Sequence, residues 1–331
     1  MRTYLLIVSM TVLALAGRLE AEPRSFVAQH GQLAVEGTQL VDAEGRPIVL
    51  RGMSLAWHIW WPQYWNADVV RWLRDDFRST VVRAAMGLGH EGGYQDDPER
   101  ALSLMREVVD AAIDSGLYVI IDWHDHHADQ RTELAREFFS EMAEQYGAHP
   151  NVIYEIYNEP VDVDWPTVKA YAEDVIAAIR EHDPDNVILV GSPHWDQDVH
   201  LAADDPIQGV SNLMYTLHFY AATHKAELRQ RGDYALQKGL PLFVSEYGGS
   251  EASGQGALDM KEWAAWMDWM EAHRISWCKW SVSDKEETCS ILVPGADPRG
   301  GWPLTALTAS GLHTRELLRE LNGVVTASGP Q

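Results

Sequence analysis

Residues 151–160 read Asn151-Val152-Ile153-Tyr154-Glu155-Ile156-Tyr157-Asn158-Glu159-Pro160. A short run of β-branched and aromatic residues, bounded by Asn and Pro, is the pattern of a buried strand. The run is continuous rather than alternating, as a parallel strand covered on its outer face requires. It ends in an amide and a carboxylate. Ionisable groups at the mouth of an apolar strand are costly to bury and mark a site where chemistry is done.

Seven further runs of the same kind lie outward from it, at Ile48–Leu55, Thr80–Met86, Leu117–Trp123, Asn186–Gly191, Asn212–Tyr220, Pro241–Tyr247 and Ile275–Ser281. Helical patterns separate most of them. Asp97-Pro98 supplies an N-cap and a first-turn proline, Leu102, Met105, Val108, Val109, Ala112 and Ile113 mark one face, and Gly116 ends the helix. Val168, Tyr171, Val175, Ile176 and Ile179 repeat the stripe before Asp183-Pro184, and Trp263, Trp266, Met267 and Met270 do so before the last strand. Eight strands alternating with helices predict the α/β class, as a single (β/α)8 TIM barrel spanning 25–322. Gln32–Leu40 and Leu50 flank a turn at Asp42–Arg46, read as a short N-terminal β-hairpin capping the barrel bottom. After Trp302 the sequence offers one more helix at 314–321 and a tail, 323–331, and no separate carbohydrate-binding module is expected there.

Composition narrows the class. The chain has 331 residues, 46% hydrophobic and 23% charged, with 2 cysteines. That excludes a disulfide-stapled miniprotein, a disordered chain and a multi-span membrane protein. With 49 acidic against 26 basic residues, the formal charge of −23 repels phosphate backbones, so nucleic acid is not expected as a partner. The 14 tryptophans exceed what a core needs and suit a flat, hydroxyl-rich ligand such as a sugar chain. Asp42, Asp96 and Asp97 read as solvated surface.

Met1-Arg2, the apolar run Tyr4–Leu15 and Ala14-Leu15-Ala16 have the parts of a secretory signal peptide over 1–21, with cleavage after Ala16 or Ala21. The expected location is therefore secreted, extracellular or periplasmic, with no membrane partner after cleavage. Export permits a disulfide between Cys278 and Cys289; two free buried thiols are the alternative.

In a barrel of this kind the site is built at the C-terminal strand ends. Those ends carry Arg83, Trp123-His124, Asn158-Glu159-Pro160, His218 and Tyr220, Glu246 and Trp280. Two carboxylates, Glu159 and Glu246, fit glycoside hydrolysis, in which one protonates the leaving oxygen and the other attacks the anomeric carbon. Arg83 beside Glu246 is expected to keep it ionised as nucleophile, and Glu159 is expected to rest protonated, with His218 and Tyr220 orienting the pair. Asn158 is placed to hold a sugar hydroxyl. Because Asn158 and Glu159 are adjacent, pleating points them apart, so a bulge is expected there. His124, His126 and His127 read as no metal site, since only His124 sits at a strand end.

The set Tyr154-Glu155-Ile156-Tyr157-Asn158-Glu159-Pro160 and Ser245-Glu246-Tyr247-Gly248 resembles glycoside hydrolase family 5 of clan A. Arg51-Gly52-Met53-Ser54, Arg83-Ala84-Ala85-Met86, Asp122-Trp123-His124, Trp195-Asp196-Gln197-Asp198-Val199-His200 and Trp280-Ser281 bring the resemblance to the bacterial endo-β-1,4-glucanases of subfamily 2. The resemblance covers about 28–322. It implies a retaining cellulase with Glu246 as nucleophile and Glu159 as acid/base. It further implies Arg83, His124, Asn158, His218 and Tyr220 as the surrounding shell and Trp280 as the floor under the sugar. Trp60 and Trp195 match cleft aromatics, and Lys285 and Glu287 match hydroxyl-holding residues further out. It implies a β-glucan polysaccharide as partner, no cofactor and a monomer. Ala56, Gly87 and Tyr247 depart from the pattern, where relatives often carry His, Tyr and Trp. A β-mannanase or mixed-linkage glucanase on the same scaffold is the alternative, and an inactive glycan-binding protein is a remote one. A Schiff-base aldolase would need Lys279 to face the mouth, whereas pleating turns it away if Trp280 faces in.

Overall fold

The computed structural model describes residues 25–323. The segment read as a signal peptide and residues 324–331 of the tail lie outside the described residues. The chain opens with a two-stranded antiparallel hairpin, β1 (Ala34–Glu36) and β2 (Gln39–Val41). The barrel strands follow: β3 (Arg51–Leu55), β4 (Val81–Gly87), β5 (Tyr118–His124), β6 (Val152–Glu155), β7 (Val187–Val190), β8 (Leu213–Thr216) with its continuation β9 (Phe219–Tyr220), β10 (Leu242–Gly248) and β11 (Trp277–Val282). Each is paired in parallel with its neighbours, and β11 pairs with both β10 and β3, which closes the sheet. Helices cover the outside, among them Pro98–Ser115, Trp165–Arg180 and Met260–His273. This is the (β/α)8 barrel that the periodicity predicts.

The signals that start and stop the helices work as read. Asp97 accepts the Arg100 N–H, Pro98 takes the first turn, and Gly116 at φ 65° closes the helix in the left-handed region. Trp263, Trp266, Met267 and Met270 are buried against the barrel. The last helix starts earlier than its stripe suggests, at Ala309, because the Thr308 side chain accepts the Gly311 N–H and caps it there.

The hairpin differs from expectation. Its turn is at Gly37-Thr38, where Gly37 takes φ 60°, and 42–46 forms a separate turn that returns the chain to pair Val41 with Pro47. Asp42 is buried rather than solvated. Its carboxylate accepts the Glu44 and Arg46 N–H groups and pairs with Arg46 and His30. Asp96 and Asp97 likewise serve local backbone, at Gly92 and Arg100.

Inside the barrel the side chains stack in layers. Leu33, Leu40, Ile48 and Leu50 close the bottom against Val81, Ile120, Ile153, Leu189, Phe243 and Cys278. Burial of this apolar layer, at about 25 cal/mol per Å² removed from water, anchors the N-terminal end of the barrel. Two residues further along β4, β5 and β6 the lumen turns polar, with Arg83, Asp122 and Glu155 all buried. The site stands on that layer.

Candidate active site

The guanidinium of Arg83 is the hub. Nε and Nη2 donate to Glu155 Oε2 and Oε1 at 2.7 and 3.0 Å, Nη2 also meets Asp122 Oδ2 at 3.0 Å and Asn158 Oδ1 at 2.6 Å, and Nη1 donates to Glu246 Oε2 at 3.0 Å. A planar fork with five donors can hold several oxygens at once, which an ammonium cannot. Arg83, on β4, thereby ties together side chains from β5, β6 and β10. Asp122 in turn meets His124 Nδ1 at 2.7 Å, and His124 lies parallel to the Trp280 ring at 5.2 Å between centroids.

Glu246 and its neighbour Ser245 both address the lumen. The pairing of β10 with β11 slips between Val244 and Tyr247, so this is where the strand is irregular. The irregularity expected at Asn158-Glu159 takes another form. β6 ends at Glu155, and Glu159 sits at φ 51°, in the left-handed region. That backbone conformation, uncommon for a residue with a Cβ, lets Asn158 point down to Arg83 while Glu159 faces the cleft.

The two carboxylates have unlike partners. Tyr220 Oη donates to Glu246 Oε1 at 2.7 Å, and Arg83 holds the other oxygen. Glu159 Oε1 lies 3.1 Å from His218 Nδ1. Ser245 Oγ gives its proton to Glu155 Oε1 at 2.7 Å, so it must accept from His218 Nε2 at 2.8 Å. With Nε2 turned to Ser245, Nδ1 is the ring nitrogen that faces Glu159. Burial pushes the Glu159 carboxyl up to about 7, with Arg83 opposing and Glu155 reinforcing. Glu246 is also raised, by burial and by the charge of Glu159, against the lowering effects of Arg83, His218 and the Tyr220 hydroxyl. Arg83 thus acts on Glu246 in the expected direction, toward the charged form, and opposes its burial. Protonating Glu159 removes its repulsion of Glu246, so the two titrate as a pair.

One oxygen of each carboxylate and one ring nitrogen of His218 lie within 4.8 Å of one another. Such spacing is that of a cation site, but both Glu246 oxygens are already hydrogen-bonded, to Arg83 and Tyr220, and Glu159 Oε1 faces His218 Nδ1. His124 and His127 are not part of it. His126, read as a loop residue, lines the cleft instead, with Nε2 3.8 Å from Glu159 Oε2.

The pair sits where two cavities of about 590 and 510 Å³ meet, both lined by Glu159, Tyr220 and His126. Trp60, Trp280, Lys285 and Glu287 line the first, and Trp195 and His218 the second. Trp60 and Trp195 are 49% and 41% exposed, high for indoles and suited to a stacking partner. Lys285 and Glu287 are ion-paired to each other. Each residue singled out from the sequence thus lines the cleft or stands directly beneath it. Several were missed. Asp122, Glu155, Ser245 and Asp196 form the buried polar layer, and Trp57 walls the cleft at 4.4 Å from the His124 ring. Strand parity with Arg83 offers a signal for Asp122 and Glu155, since Arg83 pairs with Ile120, two residues before Asp122 on the same face, and Asp122 pairs with Glu155. Trp57 could be found from Gly87, where a Cβ would come within 2.4 Å of the Trp57 ring: this chain omits a side chain on β4 and fills the space from the loop after β3.

Cys278 faces the bottom of the lumen and Cys289 the cleft; both are free and buried, so no disulfide joins them. Lys279 points away from the mouth. Its ammonium donates to the Cys289 carbonyl at 2.8 Å and to that of Trp280, and lies over Trp263.

Comparison with known proteins gives a consistent placement. The family model described as cellulase (glycosyl hydrolase family 5) matches residues 41–286. Endoglucanase A of Evansella cellulosilytica is 44% identical over 324 residues, covering 96% of this chain and 66% of that protein, so the chain spans about two thirds of the relative's length. A solved structure from Cytophaga hutchinsonii superposes with a TM-score of 0.89 at 49% identity, covering 91% of this chain and 98% of that one. The catalytic domain of endoglucanase Cel5A from Thermobifida fusca, solved as a variant in complex with cellotetraose, superposes with a TM-score of 0.85 at 34% identity, covering 88% and 99%. No helix among the described residues is long and apolar enough to cross a membrane. The chain belongs to glycoside hydrolase family 5.

Proposed function

We propose that the protein is an exported, retaining endo-β-1,4-glucanase that cleaves within β-glucan chains. The observation that carries this reading is the carboxylate pair, with oxygens within 4.8 Å, at the centre of a cleft that runs past it on both sides. Retaining enzymes hold their two carboxyl groups about 5–5.5 Å apart, whereas inverting ones leave room for a water between them. A cleft open at both ends admits an internal segment of a polymer.

Glu246 is the nucleophile. Arg83 and Tyr220 hold its two oxygens, leaving a lone pair for the anomeric carbon above the Trp280 ring. Glu159 delivers its proton to the leaving oxygen as the glycosyl–Glu246 bond forms, then takes a proton back from the water that breaks that bond. Asn158 Nδ2 has no hydrogen-bond partner among the described residues and is the donor for a sugar hydroxyl. Trp60 and Trp280 stack on one side of the bond and Trp195 on the other, with Lys285 and Glu287 taking hydroxyls further along.

The test follows viscosity and reducing ends of carboxymethylcellulose with the protein lacking residues 1–21. Internal cleavage predicts a rapid viscosity loss with few new ends, abolished in Glu246→Ala. No new ends would refute the glucanase reading, and release from mannan or mixed-linkage glucan alone would move the substrate while keeping the reaction.

A further inference from the structure

Behind Glu159 the chain folds in an unusual way. Three consecutive residues with side chains, His194, Trp195 and Asp196, occupy the left-handed region at φ 59°, 55° and 57°. Consecutive left-handed residues are strained, and they persist only where the surroundings determine them. Here the anchors are explicit. The Trp195 N–H donates to the Pro160 carbonyl at 3.2 Å, and the His218 N–H to the Asp196 carbonyl at 3.1 Å. The fully buried Asp196 carboxylate accepts the Ser192 N–H at 2.6 Å through Oδ1 and the Glu159 N–H at 3.1 Å through Oδ2. Oδ2 also lies 3.4 Å from His218 Nδ1, the atom that faces Glu159 Oε1 at 3.1 Å.

We propose that Asp196 is a positioning residue for the acid/base: it holds the left-handed backbone of Glu159 and, across His218 Nδ1, keeps the transferable proton on Glu159. The inference rests on the glycosidase reading above. The strained turn is what brings one carboxylate to two backbone donors and the shared imidazole nitrogen at once. It also ties the exposed Trp195 to the acid, so a sugar stacked on that indole bears on the segment that sets the position of Glu159. The groups facing Asp196 are His218 after β8, Glu159 after β6, Glu155 within β6 and Asp122 within β5. Burial raises the Asp196 carboxyl to about 7, with His218 opposing and Glu159 and Glu155 adding to the rise. The proton passed to the leaving oxygen comes from Glu159, and Asp196 neither gains nor loses a bond in that step.

Asp196→Asn tests this. The amide keeps the shape but has one acceptor oxygen for two N–H groups, and it removes the charge. Expected is a kcat/KM for cellotetraose at pH 7 reduced about ten-fold or more, since positioned acid catalysis contributes about 10²–10⁴-fold. The basic limb of the pH profile should move down by about one unit, because losing a neighbouring carboxylate weakens the hold of Glu159 on its proton. On 2,4-dinitrophenyl β-cellobioside, whose leaving group needs no proton, kcat/KM should stay within about three-fold of the parent. Equal losses on both substrates, or an unmoved basic limb, would overturn the proposal. Asp196→Ser, which keeps one acceptor in less space, answers the same questions if the Asn variant does not fold. Parent protein inactive on both substrates would instead refute the glycosidase reading.

Discussion

Arg83→Met removes the guanidinium that meets Asp122, Glu155 and Glu246 in the buried layer. The methionine fills much of the volume, so the cost is electrostatic rather than a cavity. Removing one partner of a buried ion pair costs about 3–5 kcal/mol. Asp122 is pushed well above the usual carboxylate range by burial even with Arg83 present, so it already favours its neutral form and adds little. Glu155, which shares two hydrogen bonds with the guanidinium, and Glu246 are the groups left uncompensated. A total near 4 kcal/mol follows. Unfolding entropy of about 2.1 cal/mol/K per residue over roughly 300 folded residues is about 0.6 kcal/mol/K, which converts that loss to a Tm drop of about 6 °C. The sign of the pH dependence follows from linkage. Without Arg83 the freed carboxyls bind protons more tightly folded than unfolded, so the variant loses stability as pH rises from about 4. Calorimetry at pH 5 and pH 7 should therefore show a smaller deficit at pH 5. The same change favours protonated Glu246, and kcat/KM at pH 7 should fall at least about a hundred-fold. A Tm within about 2 °C of the parent at pH 7, with no difference between the two pH values, would refute the role of Arg83 as the neutralising hub.

Four further outcomes are expected. The kcat/KM profile should fall as pH rises through about 7, where Glu159 loses its proton, and Glu159→Gln should abolish that limb. The same raised value means that Glu159 weakens the fold as pH climbs from its unfolded value toward 7, so Glu159→Gln should melt higher than the parent at pH 8. Gly87→Ala should cost about 1–3 kcal/mol in urea denaturation, because its Cβ would lie 2.4 Å from Trp57 and 2.6 Å from Ile59, and most of that cost should vanish in the Trp57→Ala background. Intact mass should be unchanged by reduction, and both thiols should react with an aromatic disulfide reagent only on unfolding, since Cys278 and Cys289 are free and buried.

The fold was legible because parallel strands buried on both faces write themselves as continuous apolar runs, and all eight runs fall on barrel strands. Glu159, Glu246, Arg83, His124, Asn158, His218, Tyr220 and Trp280 converge because strand ends in a closed barrel share one mouth. Less legible were features that depend on one dihedral or one register slip. Nothing in Asn158-Glu159 announces φ 51° rather than a bulge, and nothing in Ser245-Glu246 announces the slip against β11. The hairpin turn was misplaced because Asp42–Arg46 carries the stronger turn composition, whereas Gly37-Thr38 carries the hairpin. Trp57 is signalled only indirectly, by the absence of a side chain at Gly87, and its position against that glycine emerges when both are placed in space.

The buried layer explains why the site works against the trend of the chain's surface. The chain carries 49 acidic residues, and most of those described lie at the surface, where charges further apart than about 8–10 Å are screened at physiological salt. Inside, Asp122, Glu155, Asp196 and Glu246, with Glu159 at the cleft face, gather around Arg83, His124 and His218. Such a cluster cannot hold all its carboxylates ionised, so it must keep protons at neutral pH, and geometry decides where. Arg83 is set against Glu246, which favours the anion there. Glu159 has no Lys or Arg at hydrogen-bond distance, only the His218 imidazole at 3.1 Å and the Asp196 carboxylate at its backbone. An excess of buried acid, unequally compensated, is thus sufficient to separate a nucleophile from an acid without any difference in residue type.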